Sequence, residues 1–359
     1  MHIRTIIVRK RLYEFSWWSL KTKRGVFMNL SRFPRIRYTE GYTPIEKLEK
    51  LTKHLGGPNI YIKRDDLLGL AGGGNKTRKL EFLMADAKNC GADTIITCGA
   101  VQSNHCRLTL AAAVREGLKC QFVLEQRVPN SYDESATGNN FLYKLLGIEA
   151  VHVVEGGSDI VGKMNEVAEE LKKQGRKPYI VPGGGSNEIG ALGYVSCAQE
   201  VLVQTHDMGL NIDHVVLTSG SAGTHAGFLT GFIGSNVGIP ITGIGINKKN
   251  DIQIDRVYNL CLKTAEKLGL KNEIKREDVV VFEDYIGGGY SIRTDAMIEA
   301  IVLLARMEGL LLDPVYTGKT MAGLIDLVKK GYFKDCENVL FLHTGGAPTL
   351  YHYTDYFNL

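Results

Sequence analysis

Short runs rich in Val, Ile and Thr alternate with helix-period segments along most of the chain, and that alternation leaves few folds open. "NIYIKRDD" (59–66) reads as a strand entering a turn. "TRKLEFLMADAKNCG" reads as an amphipathic helix with Leu80, Leu83, Met84 and Ala87 on one face and Gly91 as its stop. "DTIITCG" then predicts a strand, "NHCRLTLAAAVREGL" a helix, "KCQFVLE" a strand and "GNNFLYKLLG" a helix. "EAVHVVEGG" and "KPYIVPGGG" add strands on either side of the helix "VGKMNEVAEELKKQG". A second series follows, with strands in "DHVVLTS", "IPITGIGIN" and "NVLFLHTGG" and a helix over 295–308. Strands separated by helices form parallel sheets covered by helices on both faces. The number of units implies two such sheets, divided near "VPGGGSNEIGALG". The sequence has no repeat of fixed period and no low-complexity tract.

The net charge of +4 over 359 residues misleads as a guide to partners. Residues 1–27 hold seven Lys/Arg and one Glu, about +6, which leaves the rest near −2. The body is therefore not a basic nucleic-acid binder. The first 27 residues also hold both tryptophans, and they lack the apolar stretch and small-residue cleavage site of a secretory signal. They are expected to be disordered or an upstream extension of the reading frame, with Met28 the natural start. No apolar run approaches the roughly 18 residues of a membrane span. The seven cysteines are scattered without a C-x-x-C pair, so no zinc or other metal site is expected, and buried free thiols in a reducing cytoplasm fit best.

Glycine clusters stand at five strand ends: 72–74, 183–185, 219–224, 286–290 and 343–346. Ligands bind at the carboxyl ends of strands in open α/β sheets, where helix N-termini offer unpaired N–H groups. "AGGGNKTRK" (71–79) superficially resembles a phosphate-clamping loop. The G-x-x-x-x-G-K-[ST] pattern, however, needs glycine where Leu70 and Asn75 stand. Lys76 is instead a lysine that small neighbours leave open to a ligand. "SGSAGT" (219–224) is the better phosphate cradle, with successive N–H groups and the hydroxyls of Ser221 and Thr224. An exposed lysine for covalent attachment and a separate loop for a monophosphate together meet the needs of pyridoxal phosphate.

Five motifs, "IYIKRDD…GGGNKTRKLEFL", "GAVQSNHCR", "SGSAGTHAG", "LLDPVYTGKTMAGL" and "FLHTGGAP", occur in the order found in one enzyme family. From residue 28 to about 355 the chain resembles the D-cysteine desulfhydrase and 1-aminocyclopropane-1-carboxylate (ACC) deaminase family. The resemblance implies an α/β, two-lobed, fold-type II pyridoxal-phosphate enzyme related to the tryptophan synthase β-subunit, with parallel twisted sheets flanked by helices. It implies a large cofactor-binding domain from 28–79 and 188–359, a small α/β domain at 80–187, and a homodimer. By motif, Lys76 would anchor the cofactor, with Asn75 beside it, and Asn104 would bond its phenolic oxygen. Ser219, Gly220, Ser221, Ala222, Gly223 and Thr224 would hold the phosphate. Ser103, with Gln102 and Asn104, would receive the substrate carboxylate, while Tyr290 and Tyr316 would line the substrate side.

The expected chemistry is β-elimination. Lys76, freed by the incoming substrate amine, takes the α-proton, and Ser103, Tyr290 or Tyr316 also exchanges protons. ACC deaminases typically carry glutamate immediately after the tyrosine of "DPVY", where this chain has Thr317. Thr317, or else Thr344 of "HTGG", would contact the pyridine nitrogen. That departure favours a carbon–sulfur lyase, D-cysteine desulfhydrase first, L-cysteate sulfo-lyase second and ACC deaminase third. Arg127 is a candidate for a sulfonate, but its place after a strand predicts a surface position. His105 and His225 are expected to cap or pack. The competing class is a non-catalytic binder of phosphorylated ligands on the same scaffold.

Overall fold

The computed structural model describes residues 28–358, so the expectations for residues 1–27 lie outside the described residues. Among the described residues ten strands run in chain order: β1 (Ile45–Lys47), β2 (Asn59–Arg64), β3 (Thr94–Ala100), β4 (Lys119–Gln126) and β5 (Ala150–Glu155), then β6 (Pro178–Val181), β7 (His214–Ser219), β8 (Ile241–Gly245), β9 (Val280–Phe282) and β10 (Asn338–His343). They form two sheets, one of six strands ordered β1-β2-β10-β7-β8-β9 and one of four ordered β5-β4-β3-β6. Every pairing is parallel except β1 against β2. Helices cover both faces, which explains why β7, β8 and β10 are buried at every position and read as continuous apolar runs. The edge strand β5 has no fully buried residue.

The helix Lys76–Asn89 buries Leu80, Leu83, Met84 and Ala87 as its spacing predicts. It also buries Arg78, Lys79 and Glu81, because it is packed between the helices Glu188–Met208 and Asn104–Arg115. At Gly193 of the longer neighbour a Cβ would lie 2.3 Å from the Arg78 carbonyl oxygen, so only glycine permits that approach. The expected division between residues 79 and 80 falls inside this continuous helix. Three long helices escaped the strand-by-strand reading: Glu188–Met208, Asn250–Leu268 and Thr317–Lys329. Glu188–Met208 is buried on several sides and therefore lacks the polar stripe that marks an amphipathic helix. Among the described residues, no helix is long and apolar enough to cross a membrane. All seven cysteines are free, and five of them are buried.

Candidate active site

The two sheets present the carboxyl ends of their strands to one cavity of about 420 Å³. Cys98–Ala100 from β3, Glu125 of β4 and Arg127 just after it wall one side; Thr218 of β7, Ile246–Lys248 beyond β8 and Thr344 beyond β10 wall the other. That volume lies in the usual range of roughly 300–1,000 Å³ for small-molecule sites.

Lys76 enters this cavity as the first residue of its helix. Gly72, Gly73 and Gly74 precede it with φ of 82°, 73° and 127°, a left-handed course that side chains resist. At Gly73 a Cβ would lie 1.7 Å from the Asp66 carbonyl oxygen, so the turn closes only without one. Asn75 N donates to Thr344 O at 3.0 Å, which ties the lysine loop to the end of β10. The Asn75 amide bridges the two glycine loops: Nδ2 donates to Thr224 Oγ1 at 2.9 Å, and Oδ1 accepts from Lys76 Nζ at 3.1 Å. Lys76 has no carboxylate partner among the described residues. Burial pulls its ammonium down to about 8, against a weaker opposing pull from Asp313. In cofactor-free protein Lys76 should thus acylate as pH rises through about 8, below the range of exposed lysines; peptide mapping of a pH series of acetylation measures this.

Between β7 and the helix Gly223–Gly234, Ala222 adopts φ 77° and folds the chain into a nest. The N–H groups of Gly220, Ser221 and Ala222 have no acceptor among the described residues. Gly223 N donates to Ser186 Oγ, which also bonds Ser221 Oγ at 2.9 Å. Beneath lies Lys79, fully buried, whose Nζ donates to Gly184 O at 3.1 Å and Ser186 Oγ at 3.4 Å. A Cβ on Gly223 would come within 2.8 Å of that Nζ. Burial and the neighbouring Lys76 hold the Lys79 ammonium well below the usual lysine range, so an anion seated on the open N–H groups above it would favour its charged form. Sequence reading missed Lys79, although its place one helical turn after Lys76 is a usable signal.

Asn104 is oriented by its neighbours. Its Oδ1 accepts from Arg107 Nη1 (2.9 Å), Asn139 Nδ2 (3.0 Å) and Thr349 Oγ1 (2.8 Å), so the amide nitrogen remains free to donate into the cavity. Arg107, also missed, is fully buried and reaches Gly73 O and Asn139 Oδ1, holding the lysine loop and the helix Asn104–Arg115 together. Ser103 caps that helix by accepting from Cys106 N at 3.1 Å, and it faces the cavity. Gln102 does not fit its expected place. Its Nε2 donates to Thr137 O and its Oε1 accepts from Asn139 N, so both ends are occupied outside the cavity wall.

Tyr290 and Tyr316 do meet in the cavity, ring centroids 5.9 Å apart and hydroxyls hydrogen-bonded to each other. Burial raises both, and the Arg127 charge draws each part of the way back. Lys319 fixes the glycine loop before Tyr290 by donating to Ile286 O (2.6 Å) and Gly289 O (2.8 Å). Thr317 is fully buried, and its hydroxyl donates to Asp313 Oδ1 at 2.7 Å and does not line the cavity. Thr344 does line it, so of the two threonines only Thr344 is positioned for a ligand. Arg127 is exposed, as its place after a strand predicts, but at the cavity: its guanidinium stacks 4.4 Å from the Tyr290 ring and lines the cavity wall. His105 and His225 also border the cavity; His105 bonds Thr97 and His225 bonds Ser219, and burial keeps both neutral near pH 7.

An open lysine amine, a free amide donor and an anion nest around one cavity fit an aldehyde, a phenolic oxygen and a phosphate on a single molecule, and pyridoxal phosphate carries all three. Among known proteins, the model of the family described as "Pyridoxal-phosphate dependent enzyme" matches residues 36–345. A crystal structure described as that of an ACC deaminase homologue superposes with a TM-score of 0.84 at 39% identity, covering 92% of this chain and 98% of that one. A pyridoxal 5'-phosphate-dependent aspartate racemase superposes with a TM-score of 0.58 at 16% identity, over 85% of this chain and 90% of that one, a likeness of fold alone. With lysine, nest and amide donor framing one cavity inside the matched span, the chain belongs to the pyridoxal-phosphate dependent enzymes and has their two-sheet, fold-type II α/β architecture.

Proposed function

We propose that the protein is a β-eliminating carbon–sulfur lyase acting on a cysteine-type amino acid. D-cysteine would give pyruvate, ammonia and sulfide, and L-cysteate would give sulfite in place of sulfide. The observation that carries this reading is that Thr344, a neutral hydroxyl, stands in the cavity wall while Thr317 is withdrawn onto Asp313. Among the described residues Glu125 is the one acid in the cavity wall, and Arg127 and Gly157 N occupy its two oxygens.

Lys76 and Asn75 would seat the cofactor's aldehyde end, Asn104 its phenolic oxygen, Thr344 its ring nitrogen and residues 219–224 its phosphate. When bound, the cofactor supplies a conjugated ring that accommodates the electron pair left as Cα loses its proton. The open N–H groups at the start of the helix Asn104–Arg115, with the Ser103 hydroxyl, orient the substrate carboxylate. Burial favours the neutral Lys76 amine, the form able to take the α-proton. Tyr290, held by Tyr316 and Arg127, stands ready to give a proton to the departing sulfur. The active assembly is proposed to be a homodimer in the cytoplasm.

The 39%-identical neighbour described as an ACC deaminase homologue favours a second reading, opening of the ACC ring to 2-oxobutyrate and ammonia. Incubating the purified protein separately with D-cysteine, L-cysteine, L-cysteate and ACC, and assaying sulfide, sulfite and keto acid, separates the two. Sulfide or sulfite is the expected product; keto acid from ACC alone would replace this proposal with the second.

A further inference from the structure

The mouth of the cavity carries more positive charge than the cofactor's phosphate needs. Arg127 is held from behind, where its Nε donates to Glu125 Oε2 at 2.7 Å. Its terminal nitrogens have no acceptor among the described residues, so the forked edge of the guanidinium is open. Arg256, from the helix Asn250–Leu268, lines the same cavity from the six-stranded side and has neither hydrogen bond nor ion pair among the described residues. Two arginines thus line one space whose wall holds a single carboxylate, Glu125, already taken by Arg127, and an anion placed there would relieve their mutual repulsion.

The phosphate does not account for Arg127. The open N–H groups at 220–222 and the buried Lys79 already form an anion seat on the six-stranded side. Arg127 lies on the opposite wall against Tyr290, whose hydroxyl bonds Tyr316. The helix start at Ser103 is placed for the α-carboxylate, which leaves Arg127 for an anion further along the substrate.

We propose that Arg127, with Arg256 across the cleft, is the seat of a second acidic group on the substrate's β-carbon, so that the site selects β-sulfonate or β-carboxylate amino acids over neutral ones. A planar fork donating two parallel hydrogen bonds suits both groups. Of the two, only the sulfonate supplies a carbon–sulfur bond; that part rests on the lyase reading and, within it, puts L-cysteate ahead of the neutral D-cysteine. For L-cysteate the α-proton passes to Lys76, and the Cβ–S electron pair leaves with sulfur as the sulfite dianion, which takes up a proton from Tyr290 or from water. Released 2-aminoacrylate takes up water to give pyruvate and ammonium.

Binding tests the seat independently of turnover. L-cysteate, L-aspartate and L-alanine are titrated into holoenzyme of wild type, Arg127→Met, Arg127→Lys and Arg256→Met, with binding followed by the cofactor's visible absorbance. Cofactor affinity is measured separately on each apoprotein. Wild type should bind L-cysteate roughly 10- to 100-fold more tightly than L-alanine. The preference should collapse in Arg127→Met, survive in part in Arg127→Lys and weaken in Arg256→Met, with cofactor affinity unchanged. L-aspartate binding as tightly as L-cysteate supports a seat for either acid; L-aspartate binding like L-alanine restricts it to sulfonates. Equal affinity of wild type for L-cysteate and L-alanine overturns the proposal, as does a preference intact in Arg127→Met. Loss of cofactor affinity without loss of preference also overturns it, by assigning the arginines to the phosphate. If Arg127→Met does not fold, Arg127→Lys and Arg256→Met carry the same comparison. Sulfite is assayed in parallel; a preference without sulfite supports the seat and rejects only the lyase reading.

Discussion

Replacing Lys76 with alanine is expected to lower the rate of sulfide or sulfite release by roughly 10³-fold or more, because one side chain serves as both anchor and base. The yellow colour of the holoenzyme should disappear in the same variant. Stability should move the other way. The lysine is half-buried with a single neutral partner, Asn75 Oδ1, and its charged form is disfavoured there. Alanine removes that cost and is a better helix former at the first position of Lys76–Asn89. A variant that is inactive yet at least as stable in urea would identify a residue retained for chemistry at the expense of stability. Loss of fold together with activity would instead make Lys76 structural and remove the basis of the lyase reading.

The largest expected change in stability lies two residues further along the same helix. Arg78 is buried between two carboxylates, with Nε and Nη2 on Asp65 at 2.8 Å each and Nη1 on Glu200 Oε2 at 2.7 Å. Lys63 Nζ completes the cluster at 2.6 Å from Glu200 Oε1, and the Tyr194 hydroxyl donates to Asp65 Oδ2 at 2.7 Å. Arg78→Met would leave Asp65 without its cation and should cost about 3–5 kcal/mol, the range found when one partner of a buried pair is removed. The urea midpoint should fall by roughly 1 M with little change in slope. Because the cluster joins β2 to the helices Lys76–Asn89 and Glu188–Met208, the loss should also loosen the base from which Lys76 projects.

The same cluster sets a pH dependence. Burial alone would raise the Asp65 carboxyl, but the Arg78 charge and hydrogen bonds, then Lys63 and Tyr194, outweigh it, and the net direction is down. Glu200 follows the same pattern, with Arg78 and Lys63 outweighing burial. A carboxyl depressed in the folded state contributes stability above the ordinary carboxylate range and loses it as pH falls through the folded value. Wild type should therefore lose stability steeply below about pH 4, and Arg78→Met should show a shallower acid limb. Urea midpoints measured across pH test both parts.

What the sequence determined by itself was local in origin. Apolar runs of strand length between helical periods required parallel sheets, and "GGGNK" and "SGSAGT" identified Lys76 and residues 219–224 as parts of one site, because a glycine turn or a strand-to-helix nest is built from neighbours in the chain. What the tertiary structure decided depended on partners far apart in sequence. Gln102 is drawn away by Thr137 and Asn139, and Arg127 is set at the cavity by stacking on Tyr290. Arg78, Lys79 and Glu81 read as the wet face of an amphipathic helix until two further helices bury them. A periodic pattern records which face of a helix is apolar; whether the other face meets water or a buried carboxylate depends on what packs against it, and here that is Glu200, 122 residues further along the chain.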